Sequence, residues 1–253
     1  VVLRQVRPNA GVESWYRRKL DKMVKELNDS VTYWVKADYN KSGLAQDASP
    51  VRALQSAFRK LAKRWTKRFD DMADKLAAKF ADATMVNSDV SLSTAFKDIG
   101  VTVQFKMTEP MNNALQAVIA ENVNLIKSIP EQYLTQVETL VMQSAGRGRD
   151  LGYLADELQK RYGITKRRAA LIARDQNNKA TSVMQVARQT SLGITEGIWH
   201  HSHAGKVPRP SHVRASGTKF DLSKGLLLDG EWLLPGEAIN CRCTWSAVIP
   251  GLD

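Results

Sequence analysis

From Ser49 to Phe80 the apolar residues Val51, Leu54, Phe58, Leu61, Trp65, Phe69, Met72, Leu76 and Phe80 recur every three or four positions. This is the period of an α-helix that buries one stripe and turns the rest toward water. The segment Glu13 to Val35 reads as an earlier helix. The stretch from Gly43 to Pro50 reads as a turn that would fold the two into an antiparallel hairpin. Helical patterning resumes at Glu109, where Pro110 suits a first turn because its missing N–H is not needed there. Pro130 predicts a break after Ile129, since an internal proline removes a donor and crowds the preceding turn, and a second helix from Glu131 to Ala145. Gly146-Arg147-Gly148-Arg149 reads as a breaker. Asp150 can then cap a helix to Arg161 that Gly163 closes, and Thr165 can cap a longer one running through Ala169, Ile172, Ala173, Ala180, Val183, Met184 and Ala187 to a stop at Gly193.

Strand signals are shorter. Ile99 to Phe105 alternates β-branched and polar residues and predicts one short strand. Beyond Gly193 the brief apolar runs Gly197 to Trp199, Leu226 to Leu228 and Thr244 to Val248 are separated by turns rich in Gly, Pro and Ser. The expected fold class is α+β: a mostly α-helical N-terminal region, 1–108, built on a long helical hairpin, and a smaller mixed α/β C-terminal domain, 109–253. The latter divides into helices over 109–193 and a small β-containing unit over 194–253.

The chain has 253 residues, 43% hydrophobic and 25% charged, enough to bury a core and too apolar for wholesale disorder. Its longest stretch free of Asp, Glu, Lys and Arg is Pro110 to Ala120, about half of the ~20 residues a membrane-spanning helix needs. The first thirty residues interleave Arg4, Arg7, Arg17, Arg18, Lys19, Lys22 and Lys25 with acids and contain no apolar run. Neither a secretory signal nor a membrane anchor is expected there, and the cytosol is the expected compartment. The chain begins on Val1 rather than Met, so residues preceding it are expected. Cys241 and Cys243, separated by one residue, cannot staple a fold, which rules out a disulfide framework. The formal charge of +11 points to polyanionic partners: nucleic acid, an acidic protein surface or a phosphorylated ligand. Residues 1–108 hold 20 Lys and Arg against 12 Asp and Glu, and 109–253 hold 17 against 14, so the excess is mainly N-terminal.

Two groups of residues bear on chemistry. Arg59, Lys60, Lys63, Arg64, Lys67 and Arg68 are six cations in ten residues, on the helix face opposite Phe58, Leu61, Trp65 and Phe69. They read as a DNA- or partner-binding stripe, because unpaired like charges repel at i,i+4 spacing unless something answers them; the alternative is an ordinary solvated face. All four histidines, His200, His201, His203 and His212, fall within thirteen residues, and both cysteines follow in Asn240-Cys241-Arg242-Cys243. In an extended chain residues i and i+2 share a side, so the cysteines would present two thiolates together, and His201 and His203 two imidazoles. His201, His203, His212, Cys241 and Cys243 are thus candidate ligands for a four-coordinate zinc. The alternative has no metal: Arg209 and His212 hydrogen-bond to backbone carbonyls or acids, and the cysteines pack as small apolar residues. The irregular ligand spacing favours this second arrangement. Trp15, Trp34 and Trp65 fall on apolar helix positions and read as core. No P-loop, Gly-x-Gly-x-x-Gly, Gly-x-Ser-x-Gly or His-Glu-x-x-His is present, which argues against nucleotide hydrolases, dinucleotide enzymes, serine hydrolases and zincins.

Residues 115 to 245 carry, in order, Glu121-Asn122-Val123, Leu125 to Pro130, Arg168-Ala169, Ile172-Ala173-Arg174-Asp175-Gln176, and Gly193 leading to Trp199. Pro208-Arg209-Pro210-Ser211-His212, Gly217-Thr218-Lys219-Phe220, Pro235-Gly236-Glu237 and Asn240-Cys241-Arg242-Cys243 follow. This ordered set resembles the Mu F-like head morphogenesis (minor head protein) family of tailed bacteriophages. Many members have Asp-x-Arg-x-Arg-Pro-Ser-His, whereas Gly205 and Val207 stand here at the Asp and first Arg positions, so only Arg209 and His212 carry over. The lost acid weakens general acid or base chemistry in this loop. The resemblance implies a head component present in few copies, located in the virion and, during assembly, in the host cytoplasm. It implies association with the portal protein and the major capsid or scaffolding protein, and non-specific contact with double-stranded DNA; no membrane is required. Arg209, His212, Asn240, Cys241 and Cys243 form its structural motif, and no catalytic residue or obligatory cofactor is implied. Parts also look similar to ADP-ribosyltransferase-like folds, but no Glu-x-Glu pair is present, so a metal-assisted nuclease or such a transferase is the alternative function.

Overall fold

A computed structural model describes residues 1–41, 50–146, 151–204 and 207–251. The fold is α+β. Four long helices, α1 (Ala10–Lys41), α2 (Pro50–Lys97), α3 (Glu109–Gly146) and α4 (Leu151–Ser191), precede β1 (Glu196–His200), the short α5 (Pro210–Arg214), β2 (Lys219–Asp221), β3 (Leu226–Leu228), β4 (Glu231–Leu233) and β5 (Thr244–Val248). The expected turn after Gly43, the breaker at 147–149 and the Asp150 cap lie outside the described residues. No helix among the described residues is long and apolar enough to cross a membrane. The chain forms two compact units, one of Trp15–Leu76 with Glu121–Ile172, the other of Val1–Ser14, Ala77–Ala120 and Ala173–Asp253, so both draw on residues to either side of position 108.

The first of these is all helical. Tyr16, Leu20, Leu27 and Val31 of α1, Phe58, Trp65 and Phe69 of α2, and Ile126, Tyr133 and Val137 of α3 are buried, as their three-and-four spacing requires. Contacts fix the directions. Glu26 meets Arg68, Ser30 meets Trp65, and Trp34 meets Phe58, so α1 and α2 run antiparallel as the sequence predicts. Asp70 pairs with Lys127 and Arg59 with Glu138, which sets α3 antiparallel to α2. Two buried tyrosines complete their polar ends across helices: Tyr16 Oη donates to Asn122 Oδ1 at 3.0 Å and Tyr133 Oη to Asn28 Oδ1 at 2.8 Å. Burial pushes both phenols above the usual tyrosine range.

Two predicted helix breaks are absent. α3 passes through Pro130, and α4 passes through Gly163. The apolar stripe of α3 continues across the proline, with Ile126, Ile129, Tyr133, Leu134 and Val137 all buried, and this burial outweighs the ~3 kcal/mol cost of an internal proline. Thr165 is not a cap. Its hydroxyl donates back to the Arg161 carbonyl at 2.9 Å inside the helix. The predicted stop at Gly193 is found: Gly193 takes φ +76°, and Ile194 N–H returns to the Gln189 carbonyl at 3.0 Å.

The second unit holds the strands. β1 is central in an antiparallel sheet of order β2-β1-β5, with Trp199 opposite Trp245, and β3 and β4 form a separate hairpin. That hairpin turns at Asp229-Gly230, both at positive φ, as a two-residue connection matching the strand twist requires. Leu3, Val6, Leu92, Phe96, Ile194, Trp199, Phe220, Leu222 and Trp245 form the core. The N-terminal residues close it: Leu3 N–H donates to Ala247 O at 2.9 Å, and Ile249 N–H donates to Val1 O at 2.8 Å. The strand predicted at Ile99–Phe105 is not formed. Val101, Val103 and Phe105 do alternate inward against the core, but no strand among the described residues pairs with them. Alternation reports one-sided burial, and a strand also needs a ladder partner. Phe105 and Lys106 are instead held by Arg188, whose guanidinium lies 5.0 Å over the Phe105 ring, donates to the Lys106 carbonyl and forks onto both oxygens of Asp89 at 2.7 Å.

Candidate metal centre

Three chain segments of the second unit converge beside the sheet. Pro210 starts α5 at a first-turn position, where no N–H is lost, and this short helix carries Ser211 and His212 into the interior. Ser211 Oγ donates to Asp229 Oδ2 at 2.6 Å, tying α5 to the β3–β4 turn. Ahead of β5, Asn240 adopts φ +62°, and its N–H donates to Asp175 Oδ1 at 2.5 Å. Asn178 Nδ2 donates to the Cys241 carbonyl at 2.8 Å, so α4 holds the Asn240–Cys243 segment at two points. Arg209 donates to the Ile239 carbonyl at 2.8 Å, the kind of backbone bond expected of it.

His212, Cys241 and Cys243 are all buried, at 3%, 3% and 5% exposure. Their ligand-capable atoms lie within 4.8 Å of one another, a group that could hold a metal ion. His212 Nδ1 is 3.5 Å from Cys241 Sγ and 3.7 Å from Cys243 Sγ. The i,i+2 reading therefore places both sulfurs on one side, as expected. His212 departs from the expectation: its Nδ1 faces the two sulfurs rather than a carbonyl or an acid. The edge of its ring meets Trp199, with centroids 5.5 Å apart.

The two thiols titrate as a unit. A hydrogen bond between the two thiols, with help from the Cys243 and Gly236 amides and His212, brings the first ionisation, at Cys241, below the ordinary thiol range. That same bond, burial and the charge already present push Cys243 far above it. His201 and His203 stand outside the three-residue group. Their rings are 4.5 Å apart, and His201 Nδ1 accepts from the His203 N–H at 3.2 Å. A cavity of about 600 Å³ opens beside the cluster, lined by His201, Arg174, Arg209 and Arg242 as well as by His212 and both cysteines. Burial lowers the pKa of His201, and the neighbouring His203 and His212 add to the effect.

Asp175, Asn178 and Trp199 have positioning roles the sequence reading did not give them. A signal was present: Asp175 through Asn178 are four consecutive polar residues, all buried, inside α4. Buried polar side chains in a helix need partners from elsewhere in the fold.

Residues 135–246 match the family described as phage Mu protein F like protein. Over these residues the chain is similar to that family. The match spans the whole cluster and the α4 residues that position it. An uncharacterized protein of Haemophilus influenzae is 29% identical over 253 residues, covering 98% of this chain and 55% of its own length. The chain thus spans about half the length of that curated relative. No solved structure matches.

The six cations of α2 lie in the other unit, with Arg59, Lys60, Lys63, Arg64, Lys67 and Arg68 all exposed. They are not all unpaired. Arg59 lies 3.9 Å from Glu138, Lys67 2.9 Å from Asp71 and Arg68 2.6 Å from Glu26. Arg64 donates to Ser30 at 3.3 Å, and Arg68 sits 4.8 Å over the Trp65 ring.

Proposed function

We propose that this chain is a bacteriophage minor head protein that acts in procapsid assembly at the portal and inner capsid and touches packaged double-stranded DNA. The Mu F-like match over 135–246 carries this reading, because it takes in the ordered His212–Cys241–Cys243 cluster and its supports. The excess positive charge of the N-terminal region supports contact with a polyanion. Lys60 and Lys63 stay exposed on α2 and are the cations best placed for it.

Quantitative protein analysis of purified virions and empty procapsids tests the reading. The protein is expected in at least one of them, far below major-capsid abundance. Absence from both, or abundance equal to the major capsid protein, would refute it. Turnover of supercoiled plasmid with zinc or magnesium, abolished by His212→Ala, would favour the nuclease alternative instead.

A further inference from the structure

We propose that His212 Nδ1 and the sulfurs of Cys241 and Cys243 bind a Zn²⁺ ion whose fourth coordination position opens into the adjoining cavity. The argument starts from distances. A tetrahedral zinc with Zn–S of ~2.3 Å and Zn–N of ~2.05 Å places nitrogen and sulfur ligands about 3.6 Å apart. His212 Nδ1 lies 3.5 Å from Cys241 Sγ and 3.7 Å from Cys243 Sγ, a separation that suits two ligands of one ion. Two soft thiolates with an imidazole select zinc over the hard cations.

The surroundings suit bound thiolates. The Cys243 N–H points at Cys241 Sγ from 3.5 Å. The Trp199 ring packs against the His212 imidazole with centroids 5.5 Å apart and nearly perpendicular planes, and its buried indole N–H has no hydrogen-bond partner among the described residues. Such packing fixes the orientation of a ligating imidazole. The i,i+2 spacing is unlike a zinc knuckle, but the positive φ of Asn240 and its bond to Asp175 aim the Cys241–Cys243 segment without one.

Three protein ligands leave one position. His201 is on the wall of the same cavity, yet it lies outside the three-residue group, and its Nδ1 already accepts the His203 N–H. The open position faces Arg174, Arg209 and Arg242, surroundings suited to water or a small anion. Binding displaces the thiol protons and joins α5 to the segment before β5, so part of the folding free energy of this unit comes from the metal.

The test uses the full chain, purified without a metal-affinity tag. Elemental analysis is expected to give one zinc per chain, chelator is expected to lower the melting temperature, and Co²⁺ is expected to replace the zinc with a thiolate-to-cobalt charge-transfer band. Wild-type protein with no zinc, no cobalt spectrum and the same melting with and without chelator would overturn the site, whether or not any variant folds. Cys241→Ser with Cys243→Ser is expected to lose the band; full metal content in that variant would also overturn it. His201→Ala is expected to keep the metal, and azide is expected to shift the visible cobalt bands. Loss of metal in His201→Ala, or bands that azide leaves unmoved, would overturn the open position.

Discussion

Arg188 and Asp89 set up a measurable contrast between two ion pairs of one unit. The Arg188 side chain is 6% exposed and Asp89 23%, and the guanidinium makes two bonds to the carboxylate and one to the Lys106 carbonyl. Asp89→Asn leaves a buried cation with one neutral carbonyl and an amide that can accept at a single oxygen. Breaking a buried pair by removing one partner costs roughly 3–5 kcal/mol, and partial exposure of Asp89 places this case near 3. At about 2–4 °C per kcal/mol for a chain of this size, the melting temperature should fall by about 6–12 °C. Arg4 and Asp98, 3.1 Å apart but 55% and 50% exposed, form the control; Asp98→Asn should change stability by under ~1 kcal/mol. Thermal melting of the two variants in parallel, with hydrogen exchange across 101–108, reads both effects. The faster exchange should be confined to Asp89→Asn, because Arg188 holds Phe105 and Lys106. Equal, small shifts for the two variants would refute the reasoning, since the buried fork would then contribute no more than a surface contact.

Gly163 sits inside α4, and a Cβ there would meet only Arg167 Nη1 at 3.6 Å, an ordinary contact. Gly163→Ala should therefore stabilise by about 0.5–1 kcal/mol in urea unfolding, and a loss would show that the glycine backbone is needed. Lys60→Glu with Lys63→Glu should leave stability within ~0.5 kcal/mol per site while weakening DNA retention and flattening its salt dependence; wild-type retention across a salt series would assign these lysines to a solvated face. The pKa of His200, whose Nε2 is 2.9 Å from Ser246 Oγ, is lowered first by burial and then by Arg7. The unfolded chain therefore takes up this proton first, at about pH 6.5. The contribution is complete above that pH and is lost as pH falls toward the lower folded value. His200→Gln should flatten the decline, and an unchanged acid limb of the stability curve would remove His200 as its source.

The helical stripe through Phe58, Leu61, Trp65, Phe69, Leu76 and Phe80 was legible because burial on one face leaves a local period, although Met72, placed on it by spacing, is exposed. Pro130 and Gly163 misled for the converse reason: their intrinsic cost is local, whereas the burial of Ile126, Ile129 and Tyr133 that outweighs it at Pro130 depends on other helices. The same limit applies to the basic face of α2. Glu138 and Glu26, which answer Arg59 and Arg68, belong to α3 and α1, far away in sequence. At the cluster, the shared side of Cys241 and Cys243 follows from strand geometry alone. The choice of His212 over His201 and His203 does not, because it depends on α5 carrying His212 inward while His203 remains exposed.

The pairing of Val2 and Leu3 with the last strand has a consequence for the order in which the protein is made. Leu3 is 1% exposed, and its N–H reaches Ala247, so this residue finds its place only against one translated long after it. At about 5–20 residues per second, the N-terminal segment leaves the ribosome roughly 12–50 s before β5 exists. Throughout that interval Val2 and Leu3 lack the strand they pair with. A nascent chain stalled before Thr244 should remain open to protease around Leu3 and should bind chaperones that recognise exposed apolar segments. Residues 135–246 expressed alone would lack Leu3, Val6, Leu92 and Phe96 from their core.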